Sequence, residues 1–181
     1  MTQIIQYDGK GENILRSPAK EVPISEVTSP KFREIVRKMK EALMAEEDGV
    51  AIAAPQVGEP WRIIIVSKRV SRDENGEGET SPDGKDIVLI NPVITKSSKK
   101  KKWVEEGCLS MRFLYGRVRR ADKVSVRAFG ENGRLLRRGA SGLLAQIFQH
   151  EIDHLDGIIF TDKAKDIIDM PPAEKGPAAK I

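Results

Sequence analysis

Between Ser141 and Asp156 the residues Leu143, Leu144, Ile147, Phe148, Ile152 and Leu155 recur at helical spacing, and Gly157 stands where such a run would stop. A helix with that much apolar surface has to be covered by the rest of the chain. Both histidines of the sequence, His150 and His154, fall inside this run, with Glu151 beside the first. Residues four apart in a helix sit one above the other, so the two imidazoles project from one face. The run therefore predicts a core helix that offers two nitrogen donors at one spot.

What covers that helix reads mostly as strand. Short β-branched, apolar stretches lie at Trp61 to Ser67, Ile87 to Ile90, Val93 to Thr95, Trp103 to Glu105 and Lys123 to Phe129. Glu131-Asn132-Gly133 signals a hairpin turn back into Arg134 to Arg138. One further helix spans Pro30 to Glu47, with Ser29 placed as N-cap, Pro30 at the first position, and Phe32, Ile35, Val36, Met39, Leu43 and Met44 at helical spacing. Strands followed by a lone core helix, without βαβ alternation, predict an α+β fold of mostly antiparallel sheets wrapped around the central helix that carries His150 and His154. Lys68 to Asp86 reads as an exposed insertion. Residues 1–165 read as one catalytic domain, and 166–181 as a Pro-rich, fraying tail.

At 181 residues, 39% hydrophobic and 32% charged, the chain suits one soluble domain. It has no apolar run of the roughly 18 residues needed for a membrane span, and its start lacks the pattern of a secretory signal. The expected location is cytoplasmic. The net charge of +4 does not demand a nucleic-acid partner. Lys99 to Lys102, beside Trp103, reads as a solvated loop ahead of a contact to nucleic acid or the ribosome.

His150-Glu151-Ile152-Asp153-His154 is an H-E-x-x-H, in which two imidazoles grip one metal ion and the adjacent carboxylate serves as general base. Two histidines placed at random fall four apart about once in a hundred, which favours a metal site over a pair of surface residues. Catalytic sites of this kind take about three protein ligands and a water. No third histidine exists, and Glu174 lies in the Pro-rich tail, a poor platform. The lone Cys108 remains, either as a small buried residue or as a soft thiolate ligand.

The residues around Cys108 carry a specific resemblance. Glu106-Gly107-Cys108-Leu109-Ser110, Gln149 to Leu155 with Gly157, and Gly49-Val50-Ala51-Ile52-Ala53-Ala54-Pro55-Gln56 resemble, in order, the three motifs of the peptide deformylases. The likeness extends from Ile14-Leu15-Arg16 through Asn91-Pro92 to Phe160. It implies removal of the formyl group from N-formylmethionyl peptides, with release of formate. It further implies one divalent ion on Cys108, His150 and His154, Fe²⁺ in the cell, replaceable by Zn²⁺, Ni²⁺ or Co²⁺. Glu151 would be the base, and the Gln56 amide with the Leu109 N–H would stabilise the oxyanion.

The substrate would run past Gly49, Val50, Ala51, Glu106, Gly107 and Tyr115, with Val50, Leu143 and Ile147 as candidates for the methionine pocket. Taken singly, Gln56 also reads as a surface amide, Gly49 as a helix stop, Glu106 as solvated or as orienting an arginine, and the apolar three as core. The chain departs from the family pattern at Ala51, where a second glycine is usual. It departs again at Arg112, where the usual proline is missing, and at Tyr115, near an arginine that touches substrate in many members. Two other readings remain: an H-E-x-x-H endopeptidase with a ligand other than Cys108, and a metal-bearing fold whose cleft is obstructed at Ala51 and Tyr115.

Overall fold

Each residue of the run Ile63-Ile64-Ile65-Val66 is fully buried, and the alternation of a strand sends them to opposite sides. Ile63 and Ile65 pack with Phe32, Ile35, Val36, Met39 and Leu43 of one helix. Ile64 and Val66 pack with Leu144, Ala145, Phe148, Ile152 and Leu155 of the other. A strand covered on both faces reads as a continuous apolar run, and each such side chain contributes about 1.5–3 kcal/mol of burial.

The computed structural model describes residues 2–7, 12–70 and 84–171. In chain order these form α1 (Glu12–Arg16), α2 (Pro30–Met44), β1 (Ala51–Ala53), β2 (Ile63–Val66), β3 (Ile87–Ser97), β4 (Lys101–Cys108), β5 (Met111–Ala121), β6 (Lys123–Phe129), β7 (Leu135–Ser141), α3 (Gly142–Leu155) and β8 (Lys165–Asp169). Short 3-10 turns lie at Ile24–Glu26, Ala54–Val57 and Phe160–Asp162. The strands make one sheet of order β1-β2-β3-β6-β7 and a second of order β4-β5-β8. All pairings are antiparallel, giving the α+β architecture that the pattern predicts. α3 meets strands of both sheets. Of the buried residues in the two apolar clusters, only Ala121 comes from the three-stranded sheet, among the described residues.

Several expectations need correction. The predicted fraying after Lys165 gives way to β8, which pairs with β5 (Leu114 with Asp169, Tyr115 with Ile168). Lys101 and Lys102 open β4 instead of staying in a loop, and Lys102 Nζ reaches Asp122 at 2.7 Å. β5 has no counterpart in the sequence reading. Ile87 to Ile90 and Val93 to Thr95 are one strand, bulged at Asn91, whose φ is 51°. The Asn91 amide makes this tolerable: Nδ2 donates to Val22 O and Oδ1 accepts from Val22 N, both at 2.8 Å. Residues 71–83 of the expected insertion and 172–181 of the tail, including Glu174, lie outside the described residues. Among those described, no helix is long and apolar enough to cross a membrane.

Gly157 ends α3 with φ at 74°, and a Cβ there would stand 2.4 Å from the Arg16 carbonyl oxygen. Strain and overlap add, so Gly157→Ala is expected to destabilise the protein by about 2 kcal/mol or more in urea unfolding. Gly58 also has positive φ (82°), but its Cβ would find only ordinary contact with Ile5 at 3.6 Å. Gly58→Ala should therefore cost less.

Candidate metal centre

β4 ends at Cys108, and Leu109-Ser110 turns the chain into β5 with a register shift at Gly107 and Cys108. The N-terminal segment buckles this turn to the one that carries Gln56. Ile5 N donates to Gln56 O (2.8 Å), Tyr7 N to Ser110 O (2.8 Å), and Gln6 Nε2 to Leu109 O (3.0 Å). No motif marks residues 5–7, so the sequence reading missed them.

The turn sets Cys108 Sγ 3.2 Å from His154 Nε2. His150 lies one turn earlier on α3, and the donor atoms of Cys108, His150 and His154 all fall within 4.8 Å of one another. His150 Nδ1 is 3.0 Å from Glu106 Oε2. A carboxylate only accepts, so Nδ1 carries the proton and Nε2 is left for an ion. Glu106 is in turn gripped by Arg120, at 2.7 and 2.8 Å, and Arg120 also reaches Asp153 at 2.6 Å. Asp153 is closed by Lys163 Nζ at 2.7 Å. Of the two readings of Glu106, orienting an arginine is the one observed. Arg120 itself escaped notice because it sits among charged neighbours in β5.

Burial works against every charge here, and the neighbours decide the outcome. It opposes the Glu106 carboxylate, yet the Arg120 and His150 hydrogen bonds hold its pKa at about 2. It opposes the Cys108 thiolate, yet His154 and His150 bring the thiol down to about 5. Burial lowers His150 too, but hydrogen bonds to Cys108 and Glu106 raise it well above the usual value. The cluster thus favours a thiolate that needs positive charge beside it. A divalent cation can supply that charge in place of an imidazole proton.

One soft sulfur and two imidazole nitrogens form a donor set suited to Fe²⁺ or Zn²⁺, and three protein ligands leave a fourth position open. One orphaned atom fits a polar occupant: Glu151 Oε2 is buried with no hydrogen-bond partner among the described residues. Burial pushes the Glu151 carboxyl up. Gln56 is 2% exposed, which rules out a surface amide. Its Oε1 accepts from Ala53 N (2.8 Å), so Nε2 faces Ser110 Oγ (3.2 Å) and Cys108 Sγ (3.6 Å). Ser110, 1% exposed, is a further residue whose part the motif alone does not reveal.

Above these groups opens a cleft of about 370 Å³. Gln56, Cys108, Leu109, His150 and Glu151 line it, while His154 lies behind them, 1% exposed. Gly49, Val50, Ala51, Glu106, Gly107, Tyr115, Leu143 and Ile147 line it as well, so every predicted substrate contact is on its wall. Ala51 is extended in β1 without positive φ, so the missing glycine costs no strain. Gly49 lies beyond the end of α2 and is needed for packing: a Cβ would approach Glu46 Cβ and Leu43 Cδ1 at 3.0 Å. Tyr115 packs over Gly107, where a Cβ would meet its ring at 2.9 Å.

The model of the polypeptide deformylase family matches residues 1–169. The chain is 42% identical to a peptide deformylase of Halothermothrix orenii over 160 residues, covering 88% of this chain and 93% of the relative. It is 32% identical to the Met-Ala-Ser-bound crystal structure of a class I type b peptide deformylase from Acinetobacter baumannii, with a TM-score of 0.76 over 90% of this chain and 99% of that one. An actinonin complex of the Synechococcus elongatus peptide deformylase is 36% identical, with a TM-score of 0.73 over 90% of this chain and 78% of that one. With the motif residues gathered in one cleft and these likenesses spanning most of its length, the chain belongs to the polypeptide deformylase family, metal-dependent hydrolases that remove the formyl group from the N-formylmethionine of nascent peptides.

Proposed function

We propose that this chain deformylates N-formylmethionyl peptides with one divalent ion held by Cys108, His150 and His154, Fe²⁺ in the cell, with Zn²⁺, Ni²⁺ or Co²⁺ as substitutes. The observation that carries this reading is the convergence of that donor set, a buried Glu151 with an unpartnered oxygen, and the Gln56 amide at the floor of one open cleft. When bound, such an ion lowers the pKa of a coordinated water and polarises the formyl carbonyl.

The chain's own groups do the rest. Glu151 takes a proton from the attacking water, and burial, which favours its protonated form, eases that transfer. It then returns a proton to the leaving nitrogen as the C–N bond breaks, giving formate and a free amine. Gln56 Nε2 and the Leu109 N–H are the donors to the formyl oxygen as it gains charge, each worth about 2.7–4 kcal/mol of barrier. Gln56 enters the reaction already oriented by Ala53, so little order is lost on binding. Val50, Leu143 and Ile147 hold the methionine side chain. Glu106 and Arg120 act through His150, by fixing its ring. The catalytic domain extends through β8 to Asp169 in this reading.

The test is formate release from formyl-Met-Ala-Ser by protein loaded anaerobically with Fe²⁺, or with Ni²⁺. Release that tracks metal content supports the assignment, and its absence from folded, fully loaded protein rejects it. Cys108→Ser trades the soft ligand for a hydroxyl, so metal retained through a chelating column is expected to fall at least about tenfold. Unchanged content and identity of the metal would remove Cys108 from the ligand set.

A further inference from the structure

The two donors to the formyl oxygen stand on separate turns, Gln56 after β1 and Leu109 after β4. Residues 4–7 lie across both turns, and none of them lines the cleft. Ile5 N donates to Gln56 O and Tyr7 N to Ser110 O, each at 2.8 Å, and Gln6 Nε2 donates to Leu109 O at 3.0 Å. Gln56, Leu109 and Ser110 thus each give a backbone carbonyl to the same short strap. The strap is anchored at both ends. Ile4 packs on the apolar cluster that also receives Leu109. At the other end the Tyr7 hydroxyl accepts from Arg16 Nε and Nη2 at 3.2 and 3.0 Å. Arg16 is bonded in turn to Asp162, whose carboxylate accepts from Ile159 N at 3.1 Å just beyond α3. Both oxyanion turns are therefore tied to each other and to the end of the helix that carries His150 and His154.

A peptide group is planar, so a carbonyl held from outside fixes the plane it belongs to. Leu109 O and Ser110 O lie in the two peptide groups that follow the Leu109 N–H, and holding both restricts the rotations that would swing this N–H away from the cleft. Such a donor has to meet an oxygen that gains its charge only in the transition state, and a misplacement of about 1 Å can cost on the order of 10²-fold in rate. Of the three strap bonds, that of Gln6 is the one made by a side chain. We infer that Gln6 is a positioning residue for deformylation: through the Leu109 carbonyl it holds the Leu109 N–H in register with the Gln56 amide. The inference rests on the deformylase reading.

The test compares the full metal-loaded chain with its Gln6→Met and Gln6→Glu variants on formyl-Met-Ala-Ser, with rates expressed per bound metal. Methionine keeps the length of the side chain and removes the donor, and glutamate keeps the shape but sets a carboxylate against the carbonyl. Gln6→Met is expected to lose about tenfold in kcat with KM changed less than about twofold, and Gln6→Glu to lose more, since the bond serves the transition state and not substrate binding. A second readout needs no turnover. The Ser110 amide nitrogen shares its peptide group with Leu109 O, so its NMR signal in zinc-loaded protein should move in both variants while those of β2 stay in place. A kcat within about twofold of the parent in both variants would overturn the inference. So would losses matched by a rise in KM or by a fall in melting temperature, which would make Gln6 a structural tie. A displaced Ser110 signal in protein whose parent releases no formate would reject the deformylase reading and keep the hold of Gln6 on the turn. Release by the parent with both variants equally active would do the reverse, and neither release nor displacement would reject both.

Discussion

Glu151→Gln is expected to keep its metal and lose about 10³-fold in kcat/KM on formyl-Met-Ala-Ser. Glutamine fills the same space but cannot accept the proton of the attacking water. Glu151 is 4% exposed and one of its oxygens has no partner among the described residues, so its carboxylate is not a structural tie. Replacing it with a neutral amide should leave thermal stability unchanged or slightly higher, because a buried charge is removed. Formate assays, metal analysis and a melting curve on one preparation read all three quantities. Turnover within tenfold of the parent would sink the base assignment. A large drop in melting temperature would mean that the carboxylate serves the fold instead.

Glu106→Leu is expected to be the most damaging single change to stability, at about 3–5 kcal/mol. Arg120 would remain buried with only Asp153 to answer it, and His150 would lose the acceptor that fixes its ring. Metal affinity should also fall by about 10–100-fold. Arg120→Met should cost a similar amount of stability, because it strands the Glu106 carboxylate. The double variant separates the two effects. With both charges gone, much of the stability should return, but metal affinity should stay low, since nothing then orients His150. Urea unfolding and metal titration of the three proteins measure this, and additive losses in stability would contradict the pairing.

The elements legible in the sequence were those whose burial leaves an apolar period. α2, β2 and α3 place Phe32, Ile63 to Val66 and Leu144 at the spacing their own geometry requires. β5 left no such trace. Its inward positions include Gly116, Val118 and Arg120, with Arg117 and Arg119 facing out, so charge conceals the alternation. β8 is exposed along its whole length, and only pairing with β5 makes it a strand. The metal donors were legible because H-E-x-x-H is a local geometry, and Cys108 followed from elimination and resemblance. Glu106 stayed undecided because its partner, Arg120, lies fourteen residues away across the β4–β5 hairpin.

The sheet that delivers Cys108 contributes only Ala121 to the apolar clusters, among the described residues. Its hold on α3 is polar: Arg120 on Asp153, Glu106 on His150, Gln149 on the Ala121 backbone and Gln146 on the Glu105 carbonyl. Warming acts differently on such a junction. The cost of desolvating ions falls as temperature rises, while the gain from apolar burial levels off. On warming, the charged seam that ties Cys108 to the histidines of α3 is therefore expected to gain in relative weight over the apolar contacts that hold the other face of that helix.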